Sequence, residues 1–287
     1  MAGAAIVGAL PVSPDMAGMP DFSTSNVLLA LAVTTAAGLA TGLGGLLVFT
    51  TRTPNARMLA FGLAFAGGAM VYVSLSDILN KSIAAFSLAF GDARGFTYGT
   101  FAFLGGVLLI VIIDRLIPNP HERLETDDPF FREHNREYIK RVGLLTAAAI
   151  TAHNFPEGLA TFFATLADPS VGLPLAFAIA IHNIPEGIAI AVPVYYATNN
   201  KGYAFAACLA SGLAEPVGAI IGYVLLGPFL SEALFGAIFG IIAGIMVFLA
   251  LDELLPAAKR YAKGHETVYG LVTGMGARAI SLVLFNW

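Results

Sequence analysis

The sequence contains one six-residue pattern twice, as His153-Asn154-Phe155-Pro156-Glu157-Gly158 and as His182-Asn183-Ile184-Pro185-Glu186-Gly187. In each copy the histidine and the glutamate are four residues apart, so on a helix they lie on one face about one turn from each other. Asn154 and Asn183 follow about 100° further round the helix and add amide oxygens. Imidazole and carboxylate together suit Zn²⁺, Fe²⁺ and similar divalent ions. The repeated pattern therefore predicts a divalent-cation site.

Both copies lie in stretches apolar enough to cross a bilayer. A carboxylate at the centre of a membrane costs at least about 2.5 to 3.5 kcal/mol, so it persists only where something compensates it. Glu215, in Leu213-Ala214-Glu215-Pro216, adds a third acid of this kind. Two neighbouring metal positions that share Glu157 and Glu186 would compensate the three acids most simply. Protonation of some of the acids is the alternative, alone or together with metal binding.

The composition indicates which elements must position these residues. Hydrophobic residues make up 57% and charged residues 12% of the chain, and the mean hydropathy is +0.78. Soluble proteins average about 25% charged residues, so the composition predicts an all-α integral membrane protein. Cys208 is the only cysteine, which excludes an intrachain disulfide and a thiolate metal cluster within one chain. Nothing in the sequence predicts a nucleic-acid partner.

Windows of about 20 apolar residues predict eight transmembrane spans in a single domain, 27–287. The spans are 27–50, 58–80, 96–117, 142–167, 171–197, 203–226, 231–255 and 267–286. Residues 1–26 are expected to form an extracytoplasmic tail, and 118–141 a polar cytoplasmic loop. Twelve of the fifteen lysines and arginines lie in connections on one side of this topology. Basic residues in short loops stay in the cytoplasm, so both termini are predicted to be outside.

Several residues outside the repeated pattern are candidates for the ion pathway. Asp77 lies one helical turn before Lys81, which is compatible with an ion pair and equally with a role at the entrance. Asp252 and Glu253 are either interfacial charges or exit ligands. Met70 is a weak thioether candidate for which core packing is the better interpretation. Arg278 is the only basic residue deep in a span, and the sequence leaves its partner open.

Four functions use a buried cation site of this kind. A carrier that alternates access across the membrane is the main prediction. A channel whose carboxylates conduct the ion is the nearest alternative. An intramembrane metalloenzyme is disfavoured because the chain has no His-Glu-x-x-His motif to provide a general base, and we expect no enzymatic activity. A metal sensor would bind the ion without transporting it.

The paired motifs resemble the ZIP (ZRT/IRT-like) family of metal transporters, and within it the bacterial ZupT type. Four further stretches carry the resemblance: Ile190-Ala191-Val192-Pro193-Val194-Tyr195, Ser211-Gly212-Leu213-Ala214-Glu215-Pro216, Gly244-Ile245-Met246-Val247-Phe248 and Leu251-Asp252-Glu253-Leu254-Leu255-Pro256. The resemblance implies eight helices arranged 3+2+3, in which spans 1–3 and 6–8 are inverted repeats around spans 4 and 5. It also implies metal uptake into the cytoplasm across a bacterial inner membrane.

The resemblance further implies a binuclear centre. One metal position would use His153, Glu157, His182 and Glu186, and its neighbour would use Asn154, Glu157, Asn183, Glu186 and Glu215. The His182-Asn183 pair implies a broad range of transported ions: Zn²⁺, Fe²⁺, Mn²⁺, Co²⁺ and Cd²⁺. The metal is cargo rather than a prosthetic group, so no resident cofactor is expected. The sequence leaves open whether the chain works alone in the bilayer or as a homodimer.

Overall fold

The computed structural model describes residues 23–50, 56–116, 151 and 154–285. Every regular element in these ranges is a helix. Six helices in this part of the chain are long and apolar enough to cross a membrane: Thr24–Leu46, Ala60–Phe90, Asp92–Ile113, Pro169–Ile188, Lys201–Phe229 and Glu232–Tyr261. The prediction of an all-α membrane protein is confirmed. The predicted loop 118–141, most of the predicted tail 1–26, and His153 lie outside the described residues.

The described residues form eight helical segments, which match the eight predicted spans in order. Span 1 is Thr24–Thr50, span 3 is Asp92–Leu116, span 5 is Pro169–Thr198 and span 8 is Glu266–Phe285. The described part of span 4 is 154–167. Span 6 consists of Lys201–Gly212 and Ala214–Leu226. Span 2 consists of Ala56–Val73, Ser74–Ile78 and Leu79–Phe90, and span 7 of Glu232–Leu249, Ala250–Leu254 and Leu255–Tyr261.

Spans 2 and 7 run further than the sequence predicted. Span 2 was expected to end at residue 80, before Lys81, but it continues to Phe90 and ends at Gly91, whose φ is 88°. Span 7 was expected to end before Pro256 and continues to Tyr261. A charged residue does not end a helix, whereas a left-handed backbone conformation does. In span 7 a π-helical turn precedes Pro256, and it changes the backbone around the residue that would otherwise break the helix.

The same local structure occurs in spans 2 and 7. Each contains a π-helical turn, Ser74–Ile78 in span 2 and Ala250–Leu254 in span 7. Each turn begins four residues after a fully buried methionine, Met70 or Met246. Single π-helical turns within α-helices are rare and concentrate at functional sites. Their matched positions are what an inverted repeat predicts for these two spans.

Glycines bring spans 2, 3, 7 and 8 into backbone contact. A Cβ on Gly68 of span 2 would clash with the carbonyl of Leu271 in span 8, and one on Gly244 of span 7 would clash with the carbonyl of Phe103 in span 3. Reciprocal contacts place Gly274 against Phe65 and Gly106 against Ile241. Span 2 thus packs on span 8 as span 7 packs on span 3. Such close approach is how small residues hold membrane helices together.

Spans 1, 4, 5 and 6 form a second group that is held in the same way. Gly38 of span 1 and Gly212 of span 6 each lie against the other's carbonyl. Gly44 of span 1 lies against the carbonyl of Ile184 in span 5. Gly158 of span 4 lies against the backbone of Glu215 in span 6. The six predicted metal-binding residues that the structure describes belong to this group, so its packing positions the candidate site.

A tight turn makes spans 4 and 5 antiparallel neighbours. Asp168 caps span 5, because its Oδ1 accepts hydrogen bonds from the Ser170 amide at 2.9 Å and the Ser170 hydroxyl at 2.7 Å. The Ser170 hydroxyl hydrogen bond is the main reason that the pKa of Asp168 lies below its ordinary value. Pro169 follows at the first helical position, which favours immediate helix formation. The turn therefore brings the two copies of the repeated motif onto adjacent helices.

An ion pair joins span 2 to span 8. Nη2 of Arg278 lies 2.9 Å from Oδ2 of Asp77, and its Nη1 donates a hydrogen bond to the Ser281 hydroxyl at 2.8 Å. The Arg278 side chain is 3% exposed and that of Asp77 is 17% exposed. Lys81, which the sequence offered as the partner of Asp77, is therefore not its closest cation. The structure also assigns the partner of Arg278, which the sequence left open.

We expect Asp77→Asn to destabilise the protein by about 3 to 5 kcal/mol, because it leaves the buried Arg278 charge without a counter-charge. The matched control is Arg57→Gln. Arg57 pairs with Glu266 at 3.4 Å but is 65% exposed, so this substitution should cost no more than about 1 kcal/mol. The midpoints of thermal unfolding in detergent measure the difference. Equal midpoints for the two variants would contradict a stabilising role for the buried pair.

Candidate metal site

Six of the seven predicted ligands converge where spans 4, 5 and 6 meet. His182 is 1% exposed, and the other five are fully buried: Asn154, Glu157, Asn183, Glu186 and Glu215. The seventh, His153, lies outside the described residues. One ligand atom from each of Glu157, His182 and Glu186 lies within 4.8 Å of the others. Three side chains from two helices could therefore hold one ion.

The histidine of one motif faces the glutamate of the other. Nε2 of His182 in span 5 lies 3.3 Å from Oε1 of Glu157 in span 4. The sequence placed each histidine beside the glutamate of its own motif, one turn along the same helix. The antiparallel packing adds a pairing between helices that the spacing alone does not contain. An ion bound here could thus take a carboxylate from span 4 and both an imidazole and a carboxylate from span 5.

The buried polar atoms of this cluster lack ordinary partners. Within the described residues, neither carboxylate oxygen of Glu157 or Glu186 accepts a hydrogen bond, and neither ring nitrogen of His182 makes one. Buried polar groups are nearly always satisfied, because leaving them unpaired costs free energy. Four carboxylate oxygens and an imidazole that share this property form a donor set that a divalent cation would satisfy.

Two asparagines are held so that their oxygens remain available. Nδ2 of Asn154 donates to the carbonyl of Ser211 at 3.0 Å and to its hydroxyl at 3.2 Å. Nδ2 of Asn183 donates to the carbonyl of Ala37 at 2.9 Å and to Oε1 of Glu215 at 2.5 Å. A carbonyl only accepts, so each amide must turn its nitrogen toward span 6 or span 1. Both Oδ1 atoms are buried and, in the part of the chain described, have no partner.

Sequence reasoning did not assign roles to Ser211 and Ala37. Ser211 lies in the stretch that leads to Glu215. A hydroxyl four residues before a buried acid could have indicated that Ser211 helps to position the site. Ala37 acts through its backbone carbonyl alone, so its side chain carried no signal at all. Both residues orient a predicted ligand from a neighbouring helix.

Glu215 brings a third carboxylate into the same region. Its Oε1 accepts the hydrogen bond from Asn183, and its Oε2 has no partner among the described residues. Span 6 is interrupted at Leu213, just before Glu215, and Pro216 follows. Proline has no N–H, so the carbonyl of Gly212 is freed from the helix, and this carbonyl lies against Gly38. The irregular backbone is thus buried within protein, as membrane depth requires.

The candidate pathway residues lie on spans 2 and 7. Met70 is fully buried in the hydrophobic core. Asp77 lies in the π-helical turn of span 2 and is paired with Arg278. Asp252 is exposed and Glu253 is partly buried, and both lie in the π-helical turn of span 7. Pathway roles for these four residues remain predictions.

Comparison with known proteins identifies the family. The ZIP Zinc transporter family matches residues 132–281, which include the predicted ligands of spans 4, 5 and 6. The chain belongs to this family. It is therefore a multi-pass membrane protein of a transporter family, as the sequence motifs predicted, and not an enzyme.

Curated relatives match nearly the whole chain. Zinc transporter ZupT of Xanthomonas campestris pv. campestris is 77% identical over 269 residues, covering 94% of this chain and 99% of the relative. Zinc transporter ZupT of Neisseria meningitidis serogroup B is 65% identical, with 94% and 100% covered. Zinc transporter ZupT of Oceanobacillus iheyensis is 50% identical, with 90% and 98% covered. The resemblance to the ZupT type of the ZIP family is confirmed.

We expect Gly158→Ala to destabilise the protein by about 1 to 3 kcal/mol and to weaken Zn²⁺ binding. The reason is that the new Cβ would clash with the backbone of Glu215 itself. Backbone atoms cannot change rotamer, so spans 4 and 6 would have to separate at the site. The matched control is Gly105→Ala in span 3, where a Cβ meets open space. There, alanine should be neutral or stabilise by up to about 1 kcal/mol. Unfolding midpoints and calorimetric Zn²⁺ titration would detect the contrast. Equal effects at the two positions would contradict the close contact.

Proposed function

We propose that this protein takes up Zn²⁺ into the cytoplasm and binds it in transit between spans 4, 5 and 6. The observation that carries the proposal is the buried cluster of Glu157, His182 and Glu186, whose ligand atoms lie within 4.8 Å of one another. The names of the relatives, each a zinc transporter, support zinc as the cargo. The tetrahedral preference of Zn²⁺ is compatible with mixed nitrogen and oxygen ligands.

The proposal includes two neighbouring metal positions. His153, Glu157, His182 and Glu186 would bind one ion, and Asn154, Glu157, Asn183, Glu186 and Glu215 would bind the second. The second set is supported by the fixed amides, since both leave Oδ1 buried and unpaired within the described residues. Three carboxylates are too few charges to neutralise two divalent ions fully. Each ion would therefore be held less tightly than in a structural site, which favours release.

Other divalent ions are expected to compete with Zn²⁺. Imidazole and carboxylate also suit Fe²⁺, Co²⁺ and Cd²⁺, while amide and carboxylate oxygens suit Mn²⁺. The donor set supports this breadth because it mixes both kinds of ligand. Competition would depend on which of the two positions each ion prefers.

The burial of the ligands favours a carrier over a channel. Glu157, Asn183 and Glu186 are fully buried, so the site is closed in this structure. Spans 1, 4, 5 and 6 contact one another at glycines, and so do spans 2, 3, 7 and 8. We propose that these two groups move relative to each other and expose the site to one side at a time. Protonation of the site glutamates would help the ion to leave.

The expected setting is a bacterial inner membrane, with both termini outside and the metal delivered to the cytoplasm. The distribution of basic residues among the connections supports this orientation. The transported ion is the only metal that the proposal requires. A homodimer is compatible with it and is not needed for the site, because all six described ligands come from one chain.

The test is initial Zn²⁺ uptake into proteoliposomes that contain the wild-type protein, Glu186→Gln or Glu232→Gln. We expect saturable uptake in the wild type and background uptake in Glu186→Gln, since this change removes a charged ligand and keeps the side-chain shape. Glu232→Gln is the matched control, because Glu232 is a partly buried acid in the first turn of span 7, outside the site. It should retain wild-type uptake.

Two results would count against the proposal. Normal uptake in Glu186→Gln would show that the cluster is not the transport site. Uptake that rises linearly with metal concentration and depends weakly on temperature would indicate a channel. Competition by Mn²⁺, Fe²⁺, Co²⁺ and Cd²⁺ in the same assay would rank the ions.

A further inference from the structure

Spans 1 and 6 are related by a local two-fold symmetry that the contacts make visible. Gly38 lies against the carbonyl of Gly212, and Gly212 lies against the carbonyl of Gly38. One position earlier, the carbonyls of Ala37 and Ser211 each accept a hydrogen bond from a site asparagine. The symmetry therefore pairs Ala37 with Ser211 and Gly38 with Gly212. Three positions further along, it pairs Thr41 with Glu215.

Contacts around Thr41 and Glu215 follow the same symmetry. The carbonyl of Glu215 lies against Gly158 of the first motif, and the carbonyl of Thr41 lies against Gly187 of the second. A Cβ on Gly38 would approach the Cβ of Glu215 to 3.4 Å, and one on Gly212 would approach the Cβ of Thr41 to 3.2 Å. Thr41 thus occupies on span 1 the place that the acid Glu215 occupies on span 6.

The hydroxyl of Thr41 is buried and unused. Thr41 is fully buried, and within the described residues its Oγ1 has no hydrogen-bond partner. On the same span, Thr34 and Thr35 donate to the carbonyls four residues earlier, at 2.8 and 2.7 Å. For Thr41 that carbonyl belongs to Ala37, which already accepts the amide of Asn183. An unpaired buried hydroxyl costs about 1 to 3 kcal/mol, so its presence indicates a partner supplied from elsewhere.

We propose that Thr41 is an additional oxygen donor of the metal site and binds the transported divalent cation from span 1. The proposal rests on the proposed function, since the ligand is the same ion. It adds a fourth helix, span 1, to the site. The two symmetry-related helices, spans 1 and 6, then contribute different ligands. Span 6 contributes a carboxylate and span 1 a neutral hydroxyl. A hydroxyl oxygen contributes more to the binding of oxygen-preferring ions such as Mn²⁺ than to that of Zn²⁺.

The experiment compares Thr41→Val, Thr41→Ser and Thr34→Val by calorimetric titration with Mn²⁺ and Zn²⁺. Valine has the shape of threonine without the hydroxyl, so Thr41→Val should weaken Mn²⁺ binding by about tenfold and Zn²⁺ binding less. Thr41→Ser keeps the hydroxyl and should bind both ions like the wild type. Thr34→Val is the matched control, because it removes a buried hydroxyl from the same span that donates to Ala30. It should leave metal affinity unchanged.

Unfolding midpoints measured without metal separate ligation from packing. Thr41→Val loses no hydrogen bond to protein, so its metal-free midpoint should equal or exceed that of the wild type, whereas that of Thr34→Val should fall. Unchanged Mn²⁺ and Zn²⁺ affinities in Thr41→Val would overturn the proposal. A metal-free midpoint that falls as much as in Thr34→Val would also overturn it.

Glu186→Gln is titrated beside these variants as a reference. If it loses metal binding while Thr41→Val binds like the wild type, the Thr41 proposal fails and the proposed site stands. If Glu186→Gln binds both ions normally, the proposed site itself fails, and the Thr41 proposal fails with it.

Discussion

Three carboxylates buried beside one another in a membrane protein are the constraint on which the rest of this structure depends. Glu157, Glu186 and Glu215 are fully buried, and five of their six oxygens accept no hydrogen bond within the described residues. In a medium of low dielectric constant their repulsion and desolvation are severe. The cluster is tolerable only with bound cations, with protonation of some of the acids, or with both. A site with such needs is suited to binding an ion and releasing it again.

The surrounding helices satisfy the amide nitrogens of the two asparagines in the cluster. The backbone carbonyls of Ala37 and Ser211 orient the two site asparagines, so spans 1 and 6 determine which way the amides face. These hydrogen bonds form only because glycines let the four helices approach to backbone contact. Close packing and ligand geometry therefore have the same cause. A larger side chain at Gly158 or Gly212 would disturb both at once.

The remaining four helices form a frame that contacts the first group, for example where Gly62 of span 2 lies against Pro185 of span 5. Spans 2, 3, 7 and 8 contact one another at their own glycines, and the Arg278 ion pair joins two of them. The π-helical turns of spans 2 and 7 occupy matched positions in this frame, each beginning four residues after a buried methionine. The candidate ligands lie in one group of helices and the π-helical turns in the other, an arrangement that is compatible with relative movement of the two groups. A structure in which every helix was locked to every other would bind metal without releasing it.

The sequence by itself determined the fold class and predicted eight spans, and it singled out six candidate ligands that the structure buries in one cluster. It could do so because a membrane demands long apolar helices and makes every intramembrane carboxylate or histidine conspicuous. It placed the ends of spans 2 and 7 wrongly, since hydropathy falls at Lys81 and Pro256 although the helices continue. Hydropathy reports where a helix leaves the apolar layer, whereas backbone hydrogen bonding decides where it ends.

Only the tertiary structure decided which side chains face each other. It paired His182 with Glu157 across two helices, and Asp77 with Arg278 rather than with the nearby Lys81. It also gave a place in the site to Ala37, whose contribution is a backbone carbonyl. Spacing along the chain reveals neighbours on one helix, because they share a face every three or four residues. Contacts between helices depend on how closely the helices pack and in what register. The glycines determine both, but only in the folded protein.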